Sequence, residues 1–440
     1  MKTTLSWRVW AMAGIMVLLT TALGPRPVAA KTEIHFWHAM SGNLNDAVEA
    51  LATRFNDTQQ DYEVKPVRKG TYPETLAAAL AAFQANAPPH LVQVFDIGTQ
   101  TMLQSGAIIP VFQLMRDQRI PVDWNDFIRP VLSYYGKDQR LYSMPFNTST
   151  PVLYYNKDMF RKAGLSTNMA PTTWREVGDY ARRILAAGAA KCGFSTGWPS
   201  WILFENMAAW HDLPFATQQN GFSGLDAQLL INGEFQVKLV RQLVTWQREN
   251  LYSYGGRMNA ADEQFVRGAC AMYIQSSALI GRSLRSAPFR WGTTQLPHWG
   301  EGYKKGTSIP GGATLWVMKG LPAADYRGVA RFLKFLAEPE QQAWWHQVTG
   351  YVTITNASLK YLAYTNHFLR SPDQWTAFAQ LTSGHNTPNT QGIRLGNFVA
   401  IRDVIESELE NILGGTKSVQ QGLDDAVTRG NDILKAFAGL

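Results

Sequence analysis

The sequence has 440 residues, with 41 Lys and Arg against 34 Asp and Glu, a formal net charge of +7 and 45% apolar content. That length exceeds one ordinary domain, and the apolar content suffices for two buried cores. The basic excess is mild and contains no Lys/Arg run able to track phosphates, which argues against a nucleic-acid binder.

In chain order, residues 1–30 come first, with Lys2 and Arg8 ahead of an apolar run from Val9 to Leu23 and small residues Val28, Ala29 and Ala30 at the end. This is the pattern of a secretory signal peptide cut after Ala30. Removing it takes away Lys2, Arg8 and Arg26 and no acid, so the charge falls to +4. No cysteine follows the cut to receive a lipid, and no later segment approaches the roughly 20 apolar residues of a membrane span. "EIHFWHA" (33–39) reads as a strand, followed by a helix whose Leu44, Ala47, Val48, Leu51 and Phe55 share one face. Pro73 opens a second helix ahead of a strand-like "HLVQVFDIG" (90–98), and Thr173 with Glu176 forms a capping-box pattern. Strands alternating with helices predict α/β lobes with largely parallel sheets. The last third instead reads as helices near 322–337, 399–413 and 418–437. No Pro/Ser linker separates two lobes, so the chain is expected to cross between them more than once.

The sequence contains only Cys192 and Cys270. Their spacing suits neither a zinc site nor a redox pair, and both a disulfide and two buried thiols remain open. "GFSTG" (193–197) fits the nucleophile-elbow pattern with Ser195, yet "GWP" intervenes where a helix would have to start. His35 and His38, three apart on a strand, point to opposite faces. There is no metal cluster pattern, phosphate loop or dinucleotide fingerprint, so no metal or cofactor is expected. What recurs is hydroxyls and glycines at strand junctions: "PFNTSTPVLYYNKD" (145–158), "YIQSSA" (273–278) and "PGGATLWVM" (310–318). Short hydroxyls and approachable backbone N–H groups are what an anion site needs.

Taken with "FWHAMSG" (36–42), "CGFSTGWPSWILFENMAAW" (192–210), "WHQVTGYVTIT" (345–355) and "GIRLGN" (392–397), these segments resemble the periplasmic solute-binding proteins of ABC importers, in their glycerophosphate-binding branch. The resemblance runs along nearly the whole mature chain. It implies a two-lobe α/β periplasmic-binding-protein fold with three crossovers, one lobe from 31–147 plus 277–345 and the other from 148–276 plus 346–440. It further implies a periplasmic, monomeric, non-enzymatic carrier that delivers sn-glycerol 3-phosphate to a membrane permease. Carried over position by position, Ser149, Ser276, the backbone N–H of Gly312, Tyr351 and Arg394 would take the phosphate, and Tyr72, Asp96, Trp198 and Trp201 the glycerol. Where the family carries glutamate in a "VYEVG" segment, this chain has Asp96 in "VFDIG". The shorter acid leaves room for a head group, so glycerophosphocholine is a second expected ligand. A hydrolase using Ser195 is the competing class.

Overall fold

The computed structural model describes Met1, residues 30–300 and residues 302–439. The leader expected over 1–30 lies outside the described residues but for its two ends.

The strands in chain order are β1 (Thr32–His38), β2 (Tyr62–Arg68), β3 (Leu91–Phe95), β4 (Ile108–Ile109), a short hairpin of β5 (Gly136–Lys137) and β6 (Arg140–Leu141), β7 (Met144–Ser149), β8 (Pro151–Asn156), β9 (Cys192–Thr196), β10 (Tyr252–Tyr254), β11 (Cys270–Ser276), β12 (Trp291–Thr294) and β13 (Gly311–Met318). They build two main sheets. The first runs β2-β1-β3-β13-β4, with β7 also paired to β13; the second runs β10-β9-β11-β8-β12. In each sheet the βαβ units are parallel, β1 with β2 and β3, and β9 with β10 and β11. β13 and β8 run against their neighbours because they arrive from the other half of the molecule rather than through a local helix.

The chain therefore leaves the first sheet at Ser149, passes Thr150, and enters the second at Pro151. Trp291–Thr294 corrects the expected boundary: it falls inside the 277–345 segment assigned to the first lobe, yet β12 pairs with β8 of the second sheet. Its Trp-Gly-Thr-Thr sequence is too short to say which sheet it joins. The short helix Leu279–Arg282, by contrast, packs on the helices Asn43–Asp57 and Pro339–Thr349 beside the first sheet.

The local elements form for the reasons visible in sequence. The helix Asn43–Asp57 buries the expected Leu44, Ala47, Val48, Leu51 and Phe55. The helix Tyr72–Gln84 starts at a Thr71–Glu74 capping box, and Trp174–Ala186 at the Thr173–Glu176 box. Strands buried on both sides, such as β3, β8 and β11, are nearly continuous apolar runs, as sheets covered on two faces require. Cys192 and Cys270 face each other in parallel register on β9 and β11 with Cα atoms 4.6 Å apart, and they form a disulfide.

Candidate functional site

A cavity of about 80 Å³ lies where the two sheets meet, lined by residues from β3, β7, β11, β13 and the loops beside them. At roughly 10–15 Å³ per water centre it takes a handful of waters or a small polar ligand. No histidine lines it.

Eight of the nine residues expected at the site stand on its wall: Tyr72, Asp96, Ser149, Trp198, Trp201, Ser276, Gly312 and Tyr351. Each is held by neighbours that explain its placement. Tyr72 stacks on Phe95 at 5.2 Å, and its hydroxyl accepts from Asn147 Nδ2 at 2.8 Å; Asn147 Oδ1 in turn accepts from Gln93 Nε2 at 2.8 Å. Tyr351 follows the left-handed Gly350 that ends the helix Pro339–Thr349, and its carbonyl accepts from His346 Nδ1 at 2.7 Å. Burial holds that imidazole at about 4, hence neutral and able to donate from Nδ1 alone. Gly312 sits at φ +88°, and a Cβ there would lie 1.8 Å from the Asn147 carbonyl oxygen, so only glycine brings this backbone to the cavity.

The segment "GWPSWILFEN" works as one device. Trp198 has φ +39°, a strained backbone for a bulky residue, and its ring N–H is used up on Asn259 Oδ1 at 2.8 Å. Ser200–Asn206 forms a wide π-type turn. This turn lays the Trp201 ring on Gly311, where a Cβ would come within 2.3 Å of the indole. Trp201 Nε1 is buried with no partner among the described residues. Asn206 Oδ1 accepts from Ile309 N at 3.0 Å, fixing the start of β13 against this turn. Both tryptophans are thus walls, and Trp201 alone has a free donor.

The carboxylate end carries a charge cluster. Arg402, on the helix Phe398–Leu413, donates from Nη2 to Asp96 Oδ2 and to Glu205 Oε2, each at 2.7 Å, and from Nε to Glu205 Oε1 at 2.7 Å. All three side chains are buried. Burial pushes Asp96 up to about 6 against the opposing pull of Arg402, with Glu205 adding to the rise. Burial alone would lower Arg402; the two acids overcome it and raise it. One cation with two acids leaves this end with a net charge of −1.

The family model of the bacterial extracellular solute-binding proteins matches residues 50–367. The sn-glycerol-3-phosphate-binding periplasmic protein UgpB of Salmonella typhimurium is 43% identical over 413 residues, 93% of this chain and 94% of that one, and its Escherichia coli K12 counterpart is 43% identical over 411 residues. The chain belongs to the bacterial extracellular solute-binding proteins. Solved structures with the same fold include UgpB from Mycobacterium tuberculosis in complex with glycerophosphocholine, at TM-score 0.77 and 21% identity over 92% of this chain and 99% of that one. Another is the cyclic α-maltosyl-1,6-maltose binding protein from Arthrobacter globiformis, at TM-score 0.71 and 21% identity over 92% and 100%.

For a solute-binding protein of this build, two expectations need correction. Arg394 is not on the cavity wall. Its Nη2 donates to the carbonyls of Tyr134 at 2.7 Å and Gly136 at 2.8 Å, its guanidinium lies 4.3 Å over the Phe222 ring, and burial lowers it to about 10. It ties the 392–397 loop to the end of the helix Arg129–Tyr135. The cavity arginine of the C-terminal segment is Arg402 in "AIRDVIE", which sequence reasoning missed. An arginine followed on its helix by Asp403 and Glu406 reads as part of an exposed charged face, whereas an arginine flanked by glycines reads as a ligand site. Also missed were Glu205, Asn259 and Arg282, whose roles depend on partners far away in sequence. Ser195, the alternative nucleophile, lies buried within β9 off the cavity wall, and its hydroxyl donates to the Ser253 carbonyl at 2.7 Å.

Proposed function

We propose that this protein is the periplasmic receptor of an ABC importer, which captures sn-glycerol 3-phosphate between two lobes and hands it to a membrane permease. The observation that carries the reading is the convergence of eight expected ligand residues, from separate chain segments, on one small cavity at the sheet junction. Hydroxyls of Ser149, Ser276 and Tyr351 and the backbone at Gly312 suit phosphate oxygens, while Asp96 accepts from glycerol hydroxyls between the walls of Tyr72, Trp198 and Trp201. The names of the 43%-identical relatives support the ligand class and the compartment. A disulfide between Cys192 and Cys270 suits an oxidising compartment. No bond is broken: the open form binds, the lobes close over the ligand, and the closed form docks. No helix among the described residues is long and apolar enough to cross a membrane.

Titration calorimetry of the purified protein with sn-glycerol 3-phosphate and with maltose tests the reading. Saturable heat is expected with the phosphate alone; binding of maltose alone would replace it with a sugar carrier. A second reading, glycerophosphocholine as preferred ligand, draws on the net −1 charge of Asp96, Glu205 and Arg402, since a quaternary ammonium gains from both a nearby acid and an indole face. Competition between the two ligands decides the order of preference.

A further inference from the structure

The cavity wall has a second arginine. Arg282 closes the short helix Leu279–Arg282, six residues past Ser276, and is a wall residue together with Ser276, Ser149 and Tyr351. Its Nε donates to Asp262 Oδ2 at 2.7 Å, and its Nη2 is buried with no partner among the described residues. Asp262 Oδ1 accepts from Tyr273 Oη and Gln275 Nε2, both at 2.8 Å. The carboxylate is thus satisfied by three donors, two on β11 and one on the helix Leu279–Arg282, and holds Nε of the guanidinium. Nη2 is left without an acceptor among the described residues, on a residue of the cavity wall. A buried cationic N–H without an acceptor is costly, and an incoming anion removes that cost.

Arg402 differs in that Asp96 and Glu205 already take its Nε and Nη2. Arg282 is also close enough to Tyr351 for its charge to oppose the upward shift that burial imposes on the phenol. Arg282 and Tyr351 are therefore neighbours on the cavity wall that Ser149 and Ser276 also line.

We infer that Arg282, oriented by Asp262, is the cation that recognises the phosphate end of the ligand and sets the preference between doubly and singly charged phosphates. This rests on the proposed glycerophosphate ligand and adds the residue that supplies its counter-charge. Asp262 is a positioning residue: it offsets the arginine's charge while aiming its free N–H, which tempers attraction for a phosphate monoester relative to a diester.

The test is calorimetry of wild type, Arg282→Gln, Arg282→Lys and Asp262→Asn with sn-glycerol 3-phosphate and with its phosphate methyl ester. Truncating one partner of a buried charged pair gives losses of about 10²-fold or more. Arg282→Gln is expected to weaken the monoester by that order and the methyl diester by clearly less, and Arg282→Lys is expected to recover part of the loss. Asp262→Asn is expected to shift preference toward the monoester, a change in selectivity that a purely structural residue would not produce. Equal losses for both ligands in Arg282→Gln, or unchanged monoester affinity, would overturn the inference while leaving the glycerophosphate reading intact. If Arg282→Gln does not fold, an Asp262→Asn variant with unchanged selectivity overturns it instead. Wild type that binds neither phosphate would overturn the reading of the site and this inference with it.

Discussion

Replacing Arg402 with methionine keeps much of the side-chain volume and removes the charge that Asp96 and Glu205 share. Three hydrogen bonds of 2.7 Å are lost, and two buried carboxylates face each other without a counter-ion. Breaking a buried pair in this way costs about 3–5 kcal/mol. Protonation sets the ceiling, because neutralising a carboxylate of ordinary pKa near 4 at pH 7.5 costs about 4–5 kcal/mol. Asp96 is already raised to about 6 by burial. An acid whose folded-state pKa lies above its unfolded value destabilises the fold in full above the folded pKa, and that penalty is lost as pH falls toward the unfolded value. Without Arg402 the pull that opposes the rise of Asp96 is gone, so the penalty of the variant should be about 2–3 kcal/mol smaller at pH 5 than at pH 7.5. Urea unfolding of both proteins at the two pH values measures this, and at pH 7.5 the melting temperature should drop by about 6–20 °C if each lobe unfolds as a unit. Adding Asp96→Asn and Glu205→Gln to the variant should restore most of the loss. A single variant as stable as wild type, or a penalty that is the same at both pH values, would refute the account of a buried, mutually dependent trio.

Arg394→Ala should lower stability by about 2–4 kcal/mol, since two carbonyls lose a charged donor, while sn-glycerol 3-phosphate affinity stays within about twofold on the scale of an additive, distant site. Denaturation and calorimetry on the same sample separate the two effects, and lost binding in a stable variant would return Arg394 to the ligand site. Gly311→Ala drives a methyl into the Trp201 indole, and at about 1–3 kcal/mol for overpacking it should weaken ligand binding about tenfold and shift tryptophan fluorescence. Unchanged emission and affinity would mean that the ring is free to move aside. Removing the Cys192–Cys270 disulfide, whose cysteines are 78 residues apart, should cost about 2–4 kcal/mol, read as a lower melting temperature in reductant, with no change in wild type if the bridge does not form in solution. Finally, ligand should reduce the radius of gyration in small-angle scattering; tight binding with no compaction would speak against lobe closure.

Much was legible in the residues because it is set locally. The apolar period of Leu44, Ala47, Val48, Leu51 and Phe55 is one face of a helix, the Thr173–Glu176 box places a helix start to the residue, and Pro73 marks another to within one residue. Apolar strands alternating with such helices specify α/β architecture, and hydroxyls and glycines at the junctions 145–158, 273–278 and 310–318 mark where backbone can meet a ligand. What the sequence could not decide is which distant residues come to share a charge. Arg394 and Arg402 lie eight positions apart; one caps a helix end through two carbonyls and the other sits between two buried acids. Likewise Asp262 takes Nε of Arg282 and leaves its Nη2 without an acceptor among the described residues, and β12 joins the second sheet because β8 offers it an edge. Local propensity depends on neighbours along the chain, whereas the partner of a buried charge or of an edge strand is fixed only when long loops close, and that is decided by packing.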